Sequence, residues 1–237
     1  MTQRYVEVFW TPFYNGEIND AAEIIFQAPK PLFSILQEER KNAMYLKCPA
    51  FIDNVRNSYA VLSPFDLNIT FDYPTRSMNI DRYGQQFFDA TCVNRGNQTI
   101  EGNPYMATLP IRILFFSKEN VEVTSGDLPI LNPSSIQNFK VIGGGFNISK
   151  WYRAVELSIE VKDPLQPISL KTDEPLFLIK FKTPNNLPIK MTRIELTPKL
   201  RVMTQSCVAV KKFRPGLKMA ENYALAADYI KSFWRKG

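Results

Sequence analysis

The chain of 237 residues contains no histidine. That absence removes the usual Ser-His-Asp and Cys-His hydrolytic arrangements, His-ligated zinc and the two-His-one-carboxylate iron site. Catalysis would have to come from carboxylates, Lys, Tyr or Cys, as in the carboxylate-pair glycosidases. Cysteine is scarce too. Cys48, Cys92 and Cys207 are odd in number, far apart and form no C-x-x-C pair. This speaks against a disulfide framework or zinc site and for buried free thiols in a reducing compartment. No apolar run approaches the roughly 20 residues of a membrane-spanning helix. The opening "MTQRYVEVFW" lacks the apolar stretch of a secretory signal. The expectation is therefore no membrane partner and no export by a signal peptide, and the sequons at Asn68, Asn97 and Asn147 read as chance. No repeat, low-complexity segment or cofactor motif stands out.

What is present points to β structure. Aromatic residues make up 13% of the chain and prolines number 17, which favours strands separated by many turns. Tyr5 to Trp10 alternates as a first strand. Helical spacing follows Pro31 in "LFSILQEERKN" and Pro49 in "AFIDNV", each proline suiting a first helical turn. Ala60–Leu62 and Leu67–Phe71 alternate as strands, and Ile111–Phe116 is a nearly continuous apolar strand. Five more strands are read at Phe139–Ile142, Ala154–Val161, Pro167–Leu170, Leu176–Lys182 and Ile189–Leu196, divided by Pro, Asp and Asn turns. Without βαβ alternation, the pattern predicts an α+β, mainly β fold. Its core is an antiparallel sandwich or jelly-roll-like pair of sheets with a few short helices. The clearest helix is placed at the C-terminus, where Leu217, Ala220, Ala224, Ala227, Ile230 and Trp234 recur at helical spacing. One domain is expected over residues 1–237, with a soft internal boundary near residue 110. Polar, turn-rich residues 73–110 are the candidate surface or pocket-lining insertion.

The stretch "KVIGGGFNISKWYRAVELSIEV", residues 140–161, carries the most suggestive motif. A phosphate loop needs two glycines four residues apart followed by Lys-Ser/Thr, and a dinucleotide fingerprint needs a third glycine where Ile148 stands, opening a helix. Neither is met, so the glycines read as a bend between strands. Extending the strand alternation back from Val155 places Trp151 and Arg153 on one face. That face, with Glu156 nearby, is a candidate for stacking a sugar, base or peptide, or for meeting a partner. Asp53, Asp66 and Glu156 are the carboxylates an enzyme would use. No D-x-D-x-D-G spacing supports calcium.

Charge is unevenly placed. Residues 187–237 hold 11 Lys+Arg against 3 Asp+Glu, while the rest of the chain holds 18 against 20. Lys211, Lys212, Arg214 and Lys218, interleaved with Phe213, form a basic patch that suits an acidic protein partner or nucleic acid.

Three blocks of the chain carry a resemblance. "APKPLF" followed by "YLKCPAFIDNVRNSYAVLSPFDLNITFD", then "VIGGGFNISKWYRAVELSIEV", then "DEPLFLIKFKT", together about half the chain, resemble an uncharacterised family. It consists of hypothetical proteins encoded by large tailed bacteriophages and some environmental bacteria. Cys48, Pro49 and Asp53 match its Cys-Pro-x-x-x-Asp element. The family has no established activity, so no catalytic residue is carried over. The resemblance implies a viral or prokaryotic origin and a virion or infection-related role. With the missing catalytic motifs, it leads to the expectation of a non-catalytic virion or assembly component. Such a protein would act as an oligomer through contacts with other phage proteins, in the virion or the host cytoplasm. A binding module for carbohydrate, nucleotide or nucleic acid, and a carboxylate-dependent enzyme, are the alternatives.

Overall fold

A computed structural model describes residues 5–13, 26–72, 77–80, 106–128, 138–163, 165–213, 221 and 224. The fold is α+β and mainly β, built on two five-stranded sheets with a smaller third. The first sheet has the order β13-β1-β6-β10-β8. Its members are β1 (Val6–Pro12), β6 (Met106–Phe116), β8 (Phe139–Val141), β10 (Ala154–Val161) and β13 (Ile189–Arg193). The second has the order β2-β3-β12-β7-β9, from β2 (Lys30–Pro31), β3 (Ser58–Leu62), β7 (Glu122–Gly126), β9 (Gly144–Asn147) and β12 (Pro175–Lys182). The third joins β4 (Leu67–Asp72), β5 (Ser77–Ile80) and β11 (Ile168–Leu170), with β4 central. All the ladders are antiparallel except that of β1 with β13, which is parallel.

The two large sheets face each other over one apolar core. Val6, Val8 and Trp10 of β1, Ile111, Ile113 and Phe115 of β6, and Leu157, Ile159 and Val161 of β10 enter it from the first sheet. Val123, Phe177, Ile179 and Phe181 enter it from the second. Phe115 and Phe181 meet edge to face across the gap at 5.3 Å between centroids. The period-2 alternation of apolar residues is thus the cause of the sandwich: one face of each sheet is apolar and only the opposing sheet can cover it.

The outer faces are covered by helices. On the second sheet, α1 (Leu32–Glu39), a 3₁₀ turn (Met44–Lys47) and α2 (Pro49–Val55) bury Leu32, Ile35, Leu36, Leu46 and Val55 against Ala60, Leu62 and Leu178. On the first sheet, α3 (Pro198–Phe213) lays Leu200, Met203 and Cys207 over Leu114 and Phe116 of β6. No helix is expected from the sequence at residues 198–213. Of the tail helix it placed further on, Glu221 and Ala224 are described, both helical and exposed, and the rest lies outside the described residues. Within the turn-rich segment, Ser77–Ile80 forms β5 and Met106–Pro110 extends β6 at its start. Pro110 sits where β6 carries two extra residues against β10: Glu156 pairs with Arg112, and Leu157 with Leu109. A proline cannot donate to a ladder, so in an interior strand it belongs at such a bulge.

Candidate functional site

The glycine run is the corner at which the chain leaves one sheet for the other. β8 belongs to the first sheet and β9 to the second, and only Ile142 and Gly143 separate them. A Cβ on Gly143 would lie 2.6 Å from the Ser125 carbonyl oxygen. A Cβ on Gly145 would lie 2.7 Å from Thr124 Cγ2 and 2.9 Å from the Val123 oxygen. These glycines therefore let β9 approach β7 closely, whereas Gly144 has open space around its Cα.

Beyond β9 the backbone turns once before β10 begins. The N–H groups of Lys150 and Trp151 both donate to the Asn147 carbonyl, and Asn147 Oδ1 accepts from Ser149 N and Oγ. This turn resets the direction of the side chains. Trp151 is buried at 2% exposure and Tyr152 at 0%, while Arg153 is exposed. The expected stacked Trp151–Arg153 face is thus corrected: Trp151 packs inward with Leu114 and Phe116, and Arg153 points elsewhere. Alternation fails here because the strand starts only at Ala154.

Tyr152 takes the more telling place. Its ring lies 5.4 Å from that of Phe116, which stacks in turn on Phe9 at 5.3 Å. With Ile194, Leu200 and Met203, Phe116 and Tyr152 wall a surface cavity of about 170 Å³. Thr197 and Lys199, both exposed, complete its lining. Thr197 also caps α3, its Oγ1 accepting the Leu200 N–H at 3.2 Å. Thr204 donates to the Leu200 carbonyl at 3.0 Å. Below the pocket Cys207 is buried, and that burial raises its thiol pKa against an opposing backbone hydrogen bond from Tyr152. The walls are apolar and aromatic with a flexible thioether, a lining suited to an apolar side chain or ring. An apolar cavity of about 150 Å³ is enough for benzene. The signal that could have found this site is the Leu200, Met203, Cys207 spacing in "PKLRVMTQSCVAVKKF".

The other expected residues stand apart. Glu156 lies on the outer face of β10 opposite Arg112, its Oε1 3.0 Å from Arg112 Nε. That N–H is not aimed at the oxygen, so the contact is an ion pair without a hydrogen bond. Asp53 forms a surface pair with Arg56 at 2.7 Å on α2, a contact that adds little stability. Asp66 accepts hydrogen bonds from Thr172 N at 2.7 Å and Thr172 Oγ1 at 2.8 Å, with Lys171 Nζ 3.7 Å away. Those hydrogen bonds, helped by Lys171, hold its carboxyl below the usual range. Each carboxylate thus has its own local partners on a different element. Cys48 is exposed just before α2, and Pro49 is the first residue of that helix. Lys211 and Lys212 lie in the last turn of α3, while Arg214 and Lys218 lie outside the described residues. Among the described residues no group of three His, Cys, Asp or Glu could hold a metal. No helix among them is long and apolar enough to cross a membrane.

No family model matches the chain, and no curated protein or solved structure matches it significantly.

Proposed function

We propose that this chain is a non-catalytic assembly protein that works through contacts with other proteins. The observation that carries this reading is the cavity between α3 and the first sheet. It is open at the surface, walled by Phe116, Tyr152, Ile194, Leu200 and Met203, and large enough for an apolar side chain. Pockets of this kind receive the aromatic and aliphatic anchors that dominate protein interfaces. The phage-like blocks support a place in or on a phage particle, with other phage proteins or further copies of the chain as partners. The positive charge of the C-terminal part favours an acidic surface on such a partner.

The test is the mass of the native protein. In extract of infected cells the chain should travel well above its 27.3 kDa monomer mass and should be present in purified particles. A bare monomer absent from particles would overturn the reading. The same cavity supports a second reading, a site for a small apolar molecule. A rise in thermal midpoint with indole or benzene, lost on filling the cavity with Met203→Phe, would favour it.

A further inference from the structure

A sheet edge is a row of unpaired main-chain groups, and proteins blunt such edges with short strands, lysine, proline or a cover. Three edges of the two large sheets carry these devices. β2 is only Lys30 and Pro31. β8 has Lys140 at its centre, and Asp127 Oδ1 accepts its Val141 N–H at 2.6 Å. β13 carries Lys190 and Arg193, and Asn57 Oδ1 accepts its Ile189 N–H at 3.2 Å. The fourth edge, β9, reads Gly-Gly-Phe-Asn and has neither charge nor proline.

The Ile148 N–H donates to the Val121 carbonyl at 2.9 Å, and bonding alternates along an antiparallel ladder. Phe146 and Gly144 therefore bond toward β7. The main-chain groups of Gly145, and of Gly143 just before the strand, point away from it. Gly143, Gly144 and Gly145 are all exposed, and among the described residues nothing bonds the outward groups of Gly143 and Gly145. The edge is also ordered: Ser125 Oγ donates to the Gly144 carbonyl and accepts its N–H, both at 3.3 Å.

An extended strand is what pairs with such a row. A peptide would find no pocket for its side chains there, since Gly144 has only open space around it, and pockets are what give such pairing specificity. A second copy brings an edge that is already ordered and carries the same unpaired groups, so it loses little freedom on pairing. Charge does not decide the contact. Lys140 faces Glu160 on β10, Lys182 lies 3.9 Å from Glu122 on β7, and exposed Lys150 follows the strand.

We propose that β9 pairs antiparallel with β9 of a second copy, about a two-fold axis at Gly145. The Gly145 N–H of each copy donates to the partner's Gly145 carbonyl, and the Asn147 N–H to the partner's Gly143 carbonyl. The two five-stranded sheets become one continuous sheet. The same surface serves both sides, so the contact closes as a dimer. So short a strand buries little area, and the dimer is weak and depends on concentration. The inference rests on the protein-contact reading above and gives it a second surface, apart from the α3 pocket, with a second copy as its partner.

Sedimentation of the full chain over a concentration series, with hydrogen exchange of the Gly145 N–H, tests it. The wild type should rise from its monomer mass of 27.3 kDa to twice that and no further, and the Gly145 N–H should gain protection as the dimer forms. The open space at Gly144 admits a side chain. Gly144→Lys or Gly144→Asp sets like charges about 7–8 Å apart across the axis, on one face. Each variant alone should lower the association constant about tenfold, with its thermal midpoint showing that it is folded. Mixed in equal amounts, the two should pair at least as tightly as the wild type. A wild type that stays monomeric or grows beyond a dimer, an unprotected Gly145, either variant associating like the wild type, or a mixture no better than its parts would overturn the inference. Protection of Gly145 that appears only when another protein is added would assign the edge to a foreign strand and overturn it too. A chain monomeric when purified yet present in purified particles defeats this inference alone and leaves the protein-contact reading standing. One monomeric and absent from particles defeats both.

Discussion

Asn57 offers the sharpest test of how the two sheets are tied together. It follows α2, is 8% exposed and has φ 56°, in the left-handed region. Its side chain spans the crossing from β12 in the second sheet to β13 in the first. Nδ2 donates to the Leu187 carbonyl at 2.9 Å and reaches Thr183 Oγ1 at 3.4 Å, while Oδ1 accepts the Ile189 N–H at 3.2 Å. Asn57→Ala removes these bonds but leaves the backbone bond from Phe181 N–H to the residue-57 carbonyl. The Leu187 carbonyl keeps a second donor, Thr183 Oγ1 at 2.7 Å, so the Ile189 N–H loses most. Two lost hydrogen bonds cost about 0.5–1.5 kcal/mol each. Alanine held in the left-handed region adds about 1 kcal/mol. The expected loss is about 3 kcal/mol, or about 6–12 °C in thermal midpoint for a chain of this size. Asn57→Gly loses the same side-chain bonds but not the backbone fit, so after allowing about 0.4–1 kcal/mol for glycine's freedom in the unfolded chain it should be milder by up to about 0.6 kcal/mol. Urea unfolding of both variants with unchanged m-values measures this. An alanine variant within about 0.5 kcal/mol of wild type, where ordinary surface substitutions lie, would refute the bracing role. A glycine variant less stable than the alanine one would refute the backbone argument.

Three further outcomes follow from the same geometry. Gly143→Ala and Gly145→Ala should each cost about 1–3 kcal/mol, because the new methyl meets Ser125 O or Thr124 and Val123 at under 3 Å. Gly144→Ala, with open space around it, should unfold like wild type in the same urea titration. Asp66 has a lowered folded-state pKa, so its contribution is present above the unfolded carboxylate value and is lost as pH falls through the folded one. Asp66→Asn should therefore flatten the acid limb of stability against pH, and an unchanged limb would show the Thr172 contacts to be idle. In a Cys92→Ser background, exposed Cys48 should react with a thiol reagent at once. Buried Cys207, its pKa raised, should react only on unfolding. Equal rates in the folded protein would mean that α3 does not pack as described.

The fold class was legible because sheet burial imposes a two-residue period. The expected strands at Ala154–Val161 and Leu176–Lys182 correspond to β10 and β12 within a residue. Pro49 opens α2 for the stated reason, a missing N–H where the helix needs none, whereas Pro31 stands just before α1, as its N-cap residue and the last residue of β2. Helix α3 was hidden by its composition. Val202, Thr204, Val208 and Val210 favour strands, and only its packing on Leu114 and Phe116 overrides that preference. The pocket was hidden for a related reason. Its walls come from β6, the residues before β10, the segment after β13 and α3, and no local pattern announces that four distant segments converge.

The glycine stretch shows how a local misreading and a global role can share the same residues. Three glycines before a Trp-Tyr-Arg cluster suggest a loop that presents side chains to a ligand. The glycines instead allow β9 to lie against β7, so that the chain can pass from the first sheet to the second within two residues. Having passed, it must return, because β10 belongs to the first sheet again. The turn closed on the Asn147 carbonyl makes that return in the shortest distance, and the residues it swings across the sheet edge are Trp151 and Tyr152. Their burial beneath α3 follows from the path, since the outer face of β6 there is Leu114 and Phe116 and needs cover. The corner thus fixes the position of one pocket wall without touching the pocket. A strain placed at Gly145 should appear at Tyr152, where the Cys207 thiol accepts its backbone hydrogen bond. Stability and site are coupled here through one short stretch of chain.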